Sequence, residues 1–260
     1  MVRSRLASAP LIAGLLVVSS AFASASETRA LVELFTSQGC SSCPAADKLL
    51  GELASDPSVV AISLPIDYWD YLGWKDTLAL PGHASRQRAY ARMRGDREVY
   101  TPQIVVNGAT HVLGSDHAAV ERAIAVTDRN AAVMSVPVLL SVASGNLNVK
   151  IAGGSDHHGG EVWLCPLARS VPVAIGRGEN GGRTVTYYNV VRRWLKIGDF
   201  AGGDAVWNVP TVDFMSEGVD GVAVMVQQGV KEKPGIVLGA AFVPIARQTT
   251  DNGRRTTDDR

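Results

Sequence analysis

The feature that most constrains this chain is a pair of cysteines, Cys40 and Cys43, set between an apolar run and an amphipathic one. Before them, Arg29–Phe35 (RALVELF) has the density of apolar residues found in buried parallel strands. After them, Ser41 to Ala54 reads as a helix, with Leu49, Leu50 and Leu53 at helical spacing. A strand followed by Cys-x-x-Cys and a helix delivers both sulfurs to the first turn of that helix. Unpaired N–H groups and the positive end of the helix dipole there favour thiolate over thiol. Cys40 is then the exposed, attacking sulfur, and Cys43, one turn on, resolves the mixed disulfide. The alternatives are an inert structural disulfide and half of a zinc site. Such a short loop contributes little as a staple. A zinc site lacks a second Cys-x-x-Cys, because the chain has 3 cysteines and Cys165 is the remaining one.

The strand–helix alternation continues. Val59–Ile66 (VVAISLPI) is a second strand, His83–Gly95 a helix ending at its glycine, and Ile104–Val106 a third strand. Asn107-Gly108 is a two-residue hairpin signal that turns the chain back into His111–Leu113. Ser115 then caps a last helix, Asp116–Val126. The order β-α-β-α-β-β-α predicts a mixed sheet with helices on both faces over residues 26–130. From about Val133 the texture changes. Val136–Val142, Leu147–Ala152, Glu161–Leu167, Pro172–Ile175, Thr184–Val191, Val222–Gln227 and Ile236–Ile245 are short β-branched runs between Gly-rich or Asn-rich turns. They predict an antiparallel β-sandwich or small barrel over residues 131–246, with a domain boundary near Asn130.

Thr101-Pro102-Gln103-Ile104 adds a proline directly before a strand. Together with the strand, the Cys-x-x-Cys helix, the hairpin and the terminal helix, it makes residues 29–127 resemble the thioredoxin superfamily. The run VELFTSQGCSSCPAADKLL further resembles an uncharacterised family of secreted bacterial thioredoxin-like proteins, in which a β-rich region also follows. The superfamily resemblance implies thiol–disulfide exchange with no cofactor. It implies that Cys40 attacks, that Cys43 resolves, and that Thr101 and a cis Pro102 dock substrate backbone. The chain departs from thioredoxin itself in having Gly39 before the pair, Ser41-Ser42 between and Pro44 after, so the direction of electron flow stays open.

Both ends differ from the middle. Arg3 and Arg5, a short apolar run from Leu11 to Val18, and the small residues Ala21, Ala23 and Ala25 form the pattern of a secretory signal peptide over residues 1–25. An uncleaved anchor is the alternative, but the run falls short of the ~20 apolar residues a spanning helix needs. The expected mature protein is exported, periplasmic or secreted, in a compartment where disulfides persist, with no membrane span. Residues 247–260 hold no large apolar side chain and read as a disordered tail. Lys+Arg and Asp+Glu are equal at 25 each, which gives no basic surface for nucleic acid. The expected partners are protein or small-molecule thiols and disulfides.

Glu33, inside the apolar strand RALVELF, is a candidate proton relay to Cys43, because a buried carboxylate must be paired or protonated. A solvent-facing Glu is the alternative. Trp69 and Trp74, with Tyr68 and Tyr71 in DYWDYLGWKD, either form a substrate lip or pack as core. His157-His158 read as a polar turn rather than a metal site. Gly176–Gly181 matches G-x-G-x-x-G, but Arg183–Val191 after it is strand-like where a dinucleotide site needs a helix. Cys165 reads as a buried small hydrophobe. The expected function is therefore that of an exported thiol–disulfide oxidoreductase. The alternative is a non-catalytic binding protein on the same scaffold, holding copper through the soft thiolates or recognising a partner through its β-rich half.

Overall fold

The structure, a computed structural model, describes residues 28–154 and 159–245. The expected signal peptide, the expected tail and His157-His158 lie outside the described residues. Strand β1 (Ala30–Thr36) leads into helix α1 (Cys43–Leu53), then β2 (Val59–Pro65), α2 (Pro81–Arg94), β3 (Gln103–Val106), β4 (Thr110–Leu113) and α3 (His117–Thr127). This is the order expected from the sequence. Asp116, not Ser115, caps α3: its side chain accepts from the N–H of Ala119. A carboxylate there both satisfies an orphan donor and complements the helix dipole.

Every residue of β1 and β2 is buried, because helices cover both faces of the sheet. Val32, Leu34, Ile104 and Val106 meet Leu50 of α1 and Ile124 of α3 on one face. Leu31, Phe35, Ile62 and Leu64 meet Tyr90 of α2 on the other. Strict alternation along β1 decides which side chains go which way. The even-numbered positions face α1, and Glu33 faces α2.

The β-rich half does not stand apart from this sheet. It contributes β5 (Val138–Ala143), β6 (Asn146–Ile151), β7 (Gly160–Ala174), β8 (Thr184–Val191), β9 (Leu195–Phe200), β10 (Ala205–Pro210), β11 (Gly221–Val230) and β12 (Lys233–Pro244). One 9-stranded sheet runs β12-β11-β7-β8-β2-β1-β3-β4, with β9 also on β7. The join is parallel, with Ser63 of β2 opposite Val190 of β8. Helix α1 lies across it, and Gly51 makes room for the ring of Tyr188, whose Cε2 would come 2.5 Å from a Cβ at that position. Two expected runs, Glu161–Leu167 and Pro172–Ile175, are the single strand β7, which changes partners midway from β9 and β11 to β8. The segments of β9 and β10 lack a continuous β-branched run and pair only through long-range partners. A second antiparallel sheet, β10-β6-β5, packs Leu147, Val149 and Ile151 against Val162, Leu164, Val222 and Val224 of the large sheet. Among the described residues no helix is long and apolar enough to cross a membrane.

Candidate functional site

Cys40 and Cys43 are joined in a disulfide with their Cα atoms 5.4 Å apart. The turn forms locally: the Cys40 N–H donates to Ser37 O at 3.2 Å and the Cys43 N–H to Cys40 O at 3.1 Å. Pro44, at the first helical positions, starts α1 without needing a donor. Ser42 Oγ lies 3.4 Å from Cys40 Sγ, a hydroxyl placed to stabilise sulfur charge. Cys43 is fully buried and Cys40 is 5% exposed. Access to the pair is therefore through Cys40.

The expected substrate-side residues gather at this end of the sheet. Trp69 packs on the residue before Cys40: a Cβ at Gly39 would fall 3.0 Å from the Cβ of Trp69, which explains a glycine at that position. The Trp69 indole N–H donates to Thr101 Oγ1 at 2.8 Å. The Thr101–Pro102 peptide bond is cis. Pro102 lies beside the first turns of α1, since a Cβ on Gly114 would be 3.1 Å from the Pro102 Cβ and 3.3 Å from that of Ala46. Trp74 is one step removed. Its indole N–H donates to Gln38 Oε1 at 2.7 Å, and the Gln38 backbone N–H donates to Asp76 Oδ2 at 2.8 Å.

Glu33 does not join them. Its side chain lies on the α2 face, where Oε1 accepts from Arg86 Nε at 2.6 Å and Oε2 accepts from the Tyr90 hydroxyl at 2.5 Å. Arg86 also donates to Gln227 Oε1 at 2.9 Å and lies 4.4 Å over the ring of Trp194. Burial works against the Arg86 charge, but the Glu33 carboxylate outweighs it and raises the guanidinium pKa above its ordinary value. A carboxylate committed to this ion pair, across the sheet from α1, has no path to Cys43. The relay expected of Glu33 is corrected on that ground. Cys165 is buried in the same neighbourhood, and burial pushes its thiol pKa up, leaving it inert.

The carboxyl that does stand behind Cys43 is Asp47. It lies on the buried face of α1, one turn after Cys43, and helical side chains lean back toward the preceding turn. It is 1% exposed, and among the described residues no side chain makes a well-formed hydrogen bond to either of its oxygens. Burial drives its pKa well above the usual carboxylate range; the neighbouring Thr36 hydroxyl pulls the other way and Asp76 adds to the rise. Among the described residues, Thr36 Oγ1 and Ser63 Oγ are likewise buried without a well-formed hydrogen bond. The alternation of β1 and β2 turns both toward α1. Burial thus favours the neutral acid form of Asp47, in a small polar interior one turn beyond Cys43. Its signal in the sequence was an Asp on the apolar face of an amphipathic helix, at i+4 from the second cysteine.

The β-rich half also reaches the disulfide. The loop between β7 and β8 closes on itself, with the Ile175 N–H donating to Arg183 O at 2.9 Å and the Gly182 N–H to Ile175 O at 2.8 Å. Asn180, 1% exposed, donates through Nδ2 to Cys40 O at 2.8 Å and to Gln38 O at 3.0 Å. Glu179 Oε2 accepts from the Ser41 N–H at 3.1 Å. The glycine-rich segment whose dinucleotide reading was set aside is this loop. No local pattern connects it with the cysteines. Among the described residues no group of three or more His, Cys, Asp or Glu side chains is placed to hold a metal ion.

Fold and site define a class: a mixed α/β protein with a Cys-x-x-Cys disulfide at the start of the helix that follows its first strand. The chain belongs to the family described as a protein of unknown function (DUF1223), which it matches over residues 31–227. It is similar to the crystal structure of a protein from Agrobacterium tumefaciens, at 30% identity and a TM-score of 0.76, over 86% of this chain and 97% of that one. Comparison with curated proteins found no match.

Proposed function

We propose that this chain is an exported thiol–disulfide oxidoreductase built on a thioredoxin-like unit, β1-α1-β2-α2-β3-β4-α3. The observation that carries the reading is the convergence at one end of the sheet of the Cys40–Cys43 disulfide at the start of α1, Trp69 packed on Gly39 and hydrogen-bonded to Thr101, and the buried Asp47 one turn after Cys43. In exchange, an incoming thiolate attacks Cys40 Sγ and the S–S bond breaks. The electron pair leaves on Cys43 Sγ, which takes a proton from Asp47. A second thiolate on the partner then attacks the mixed disulfide, Cys40 departs as thiolate beside the Ser42 hydroxyl, and the partner is left as a disulfide. Run backwards, the same steps reduce a partner disulfide. The pair thus needs no cofactor beyond the partner's own sulfurs. Trp69, packed on Gly39, and Pro102, beside the first turns of α1, would border the partner backbone.

The test is Cys43→Ala expressed with its natural leader. Loss of the resolving sulfur leaves Cys40 bonded to its partners, so mixed disulfides should appear on non-reducing gels and vanish with reductant. Their absence, with Cys40 present and free, would refute the reading. A second reading follows from the 5% exposure of Cys40 and its ties to Asn180: a structural disulfide on a binding protein. Glutathione titration separates the two. A reversible transition between about −120 and −270 mV marks an exchange-active pair, and a pair still oxidised below about −300 mV marks a structural one.

A further inference from the structure

Ser41 provides the first backbone N–H after Cys40, just ahead of the helix start whose dipole would favour a Cys40 thiolate. In this chain that N–H is already taken by a carboxylate, Glu179 Oε2, from a loop far along the sequence. The carbonyls on either side of Gly39 are taken as well, both by the buried Asn180 amide. The turn that carries Cys40 is therefore clamped from outside its own strand and helix, and an anion is stationed on the residue next to Cys40.

We propose that Glu179 and Asn180 are positioning residues for the Cys40–Cys43 pair, biasing it toward the disulfide and so toward giving electrons away. This rests on the exchange reading above. The sign follows from charge. Reduction creates a thiolate on Cys40, and the Glu179 carboxylate, held on the backbone N–H of the next residue, opposes it. A less stable thiolate means a less stable reduced form, and a dithiol that passes its electrons to a partner disulfide more readily. Asn180 adds a geometric part, because Cys40 cannot turn toward other donors while its carbonyl is held. The other charges at this end do not change this sign. Asp76 accepts the N–H groups of Gln38 and Leu78, Arg183 is 3.4 Å from the far side of the Asn180 amide, and Arg177 is exposed. In the donor direction, Cys40 and Cys43 lose two electrons and two protons to the partner disulfide, and a dithiol reductant must restore them.

The experiment compares full-length wild type with Glu179→Gln and Asn180→Ala. Glu179→Gln keeps an oxygen for the Ser41 N–H and removes only the charge, on an exposed side chain. The first readout is the pH dependence of Cys40 alkylation by iodoacetamide in reduced protein, followed by mass spectrometry. The Cys40 pKa should fall by about half to one unit in Glu179→Gln, a three- to tenfold gain in thiolate below the pKa. The second is the glutathione equilibrium, measured above the Cys40 pKa, which should move toward the dithiol by a similar factor. Asn180→Ala should speed reduction of the disulfide by dithiothreitol several-fold. An unchanged Cys40 pKa in Glu179→Gln overturns the charge argument, and an unchanged reduction rate in Asn180→Ala overturns the clamp. If wild type does not exchange with glutathione although the thiol pKa still shifts in Glu179→Gln, the oxidoreductase reading fails and the electrostatic role of Glu179 stands.

Discussion

Replacing Asp47 by Asn tests whether a neutral acid lies beneath the disulfide. Asp47 is 1% exposed, so ionising it in the folded protein carries a desolvation penalty that the Thr36 hydroxyl offsets only in part. Its folded pKa is raised well above the unfolded value, which lies at about 3.9. Below that unfolded value both states are protonated and the contribution of Asp47 to stability is fully present. As pH rises, the unfolded chain ionises first. The folded state then loses about 1.4 kcal/mol per pH unit until the folded pKa is passed. Asparagine removes this dependence at similar volume. The mutant should therefore match wild type near pH 3.5 and become progressively more stable than it toward pH 7.5. For a chain of this size each unit amounts to about 3–6 °C in Tm. Thermal melts of the oxidised proteins, followed by circular dichroism across that range, give the difference directly, and the pH at which it levels off reports the folded pKa. Contributions from other titrating groups cancel in the difference. A Tm difference that is the same at pH 3.5 and pH 7.5 would refute the argument, because it would mean that Asp47 ionises equally in both states. At neutral pH the same mutant should exchange more slowly, since Cys43 would leave without a proton donor.

Two further outcomes follow from the opposite face of the sheet. Glu33→Gln strips Arg86 of its buried counter-charge and should cost about 3–5 kcal/mol in urea denaturation, with exchange at Cys40 unchanged; loss of exchange at full stability would restore Glu33 to the site. His83 is fully buried, with its Nδ1–H donating to Pro65 O at 2.8 Å, and burial lowers its pKa to about 4. It should remain neutral at pH 6, with its stabilising contribution complete above about pH 6.5 and fading, by about 3 kcal/mol in total, as pH falls to about 4. An NMR titration of the His83 ring with a midpoint near 6.5 would contradict this.

Much of the first half of the chain was legible because its signals are local. The apolar run before Cys40, the helical spacing of Leu49, Leu50 and Leu53, and Asn107-Gly108 each act within a few residues, and β1, α1 and the β3–β4 turn lie where they point. The turn holds Ala109 as well, because β4 starts at Thr110, and Asn107 spends its side chain on Leu31 N–H and Thr127 Oγ1. The two candidate carboxyls were harder. Glu33 drew attention as an acid in a strand buried on both faces, where alternation leaves no polar stripe to show which side faces which helix. Asp47 was masked as one polar residue in an otherwise ordinary amphipathic helix.

By itself, then, the sequence determined the strand–cysteine–helix unit, the alternation that follows it and the β-branched character of the second half. These are set by spacing, propensity and capping, which operate over one or two turns of chain. Only the tertiary structure decided that β8 docks beside β2, that Arg86 claims Glu33, and that the β7–β8 loop delivers Asn180 and Glu179 to Cys40 and Ser41 across sequence separations of 140 and 138 residues. Such contacts leave no periodicity to read. They exist because burying the exposed edge and faces of the first sheet required strands from the second half, and the register of that join set which loop landed on the disulfide.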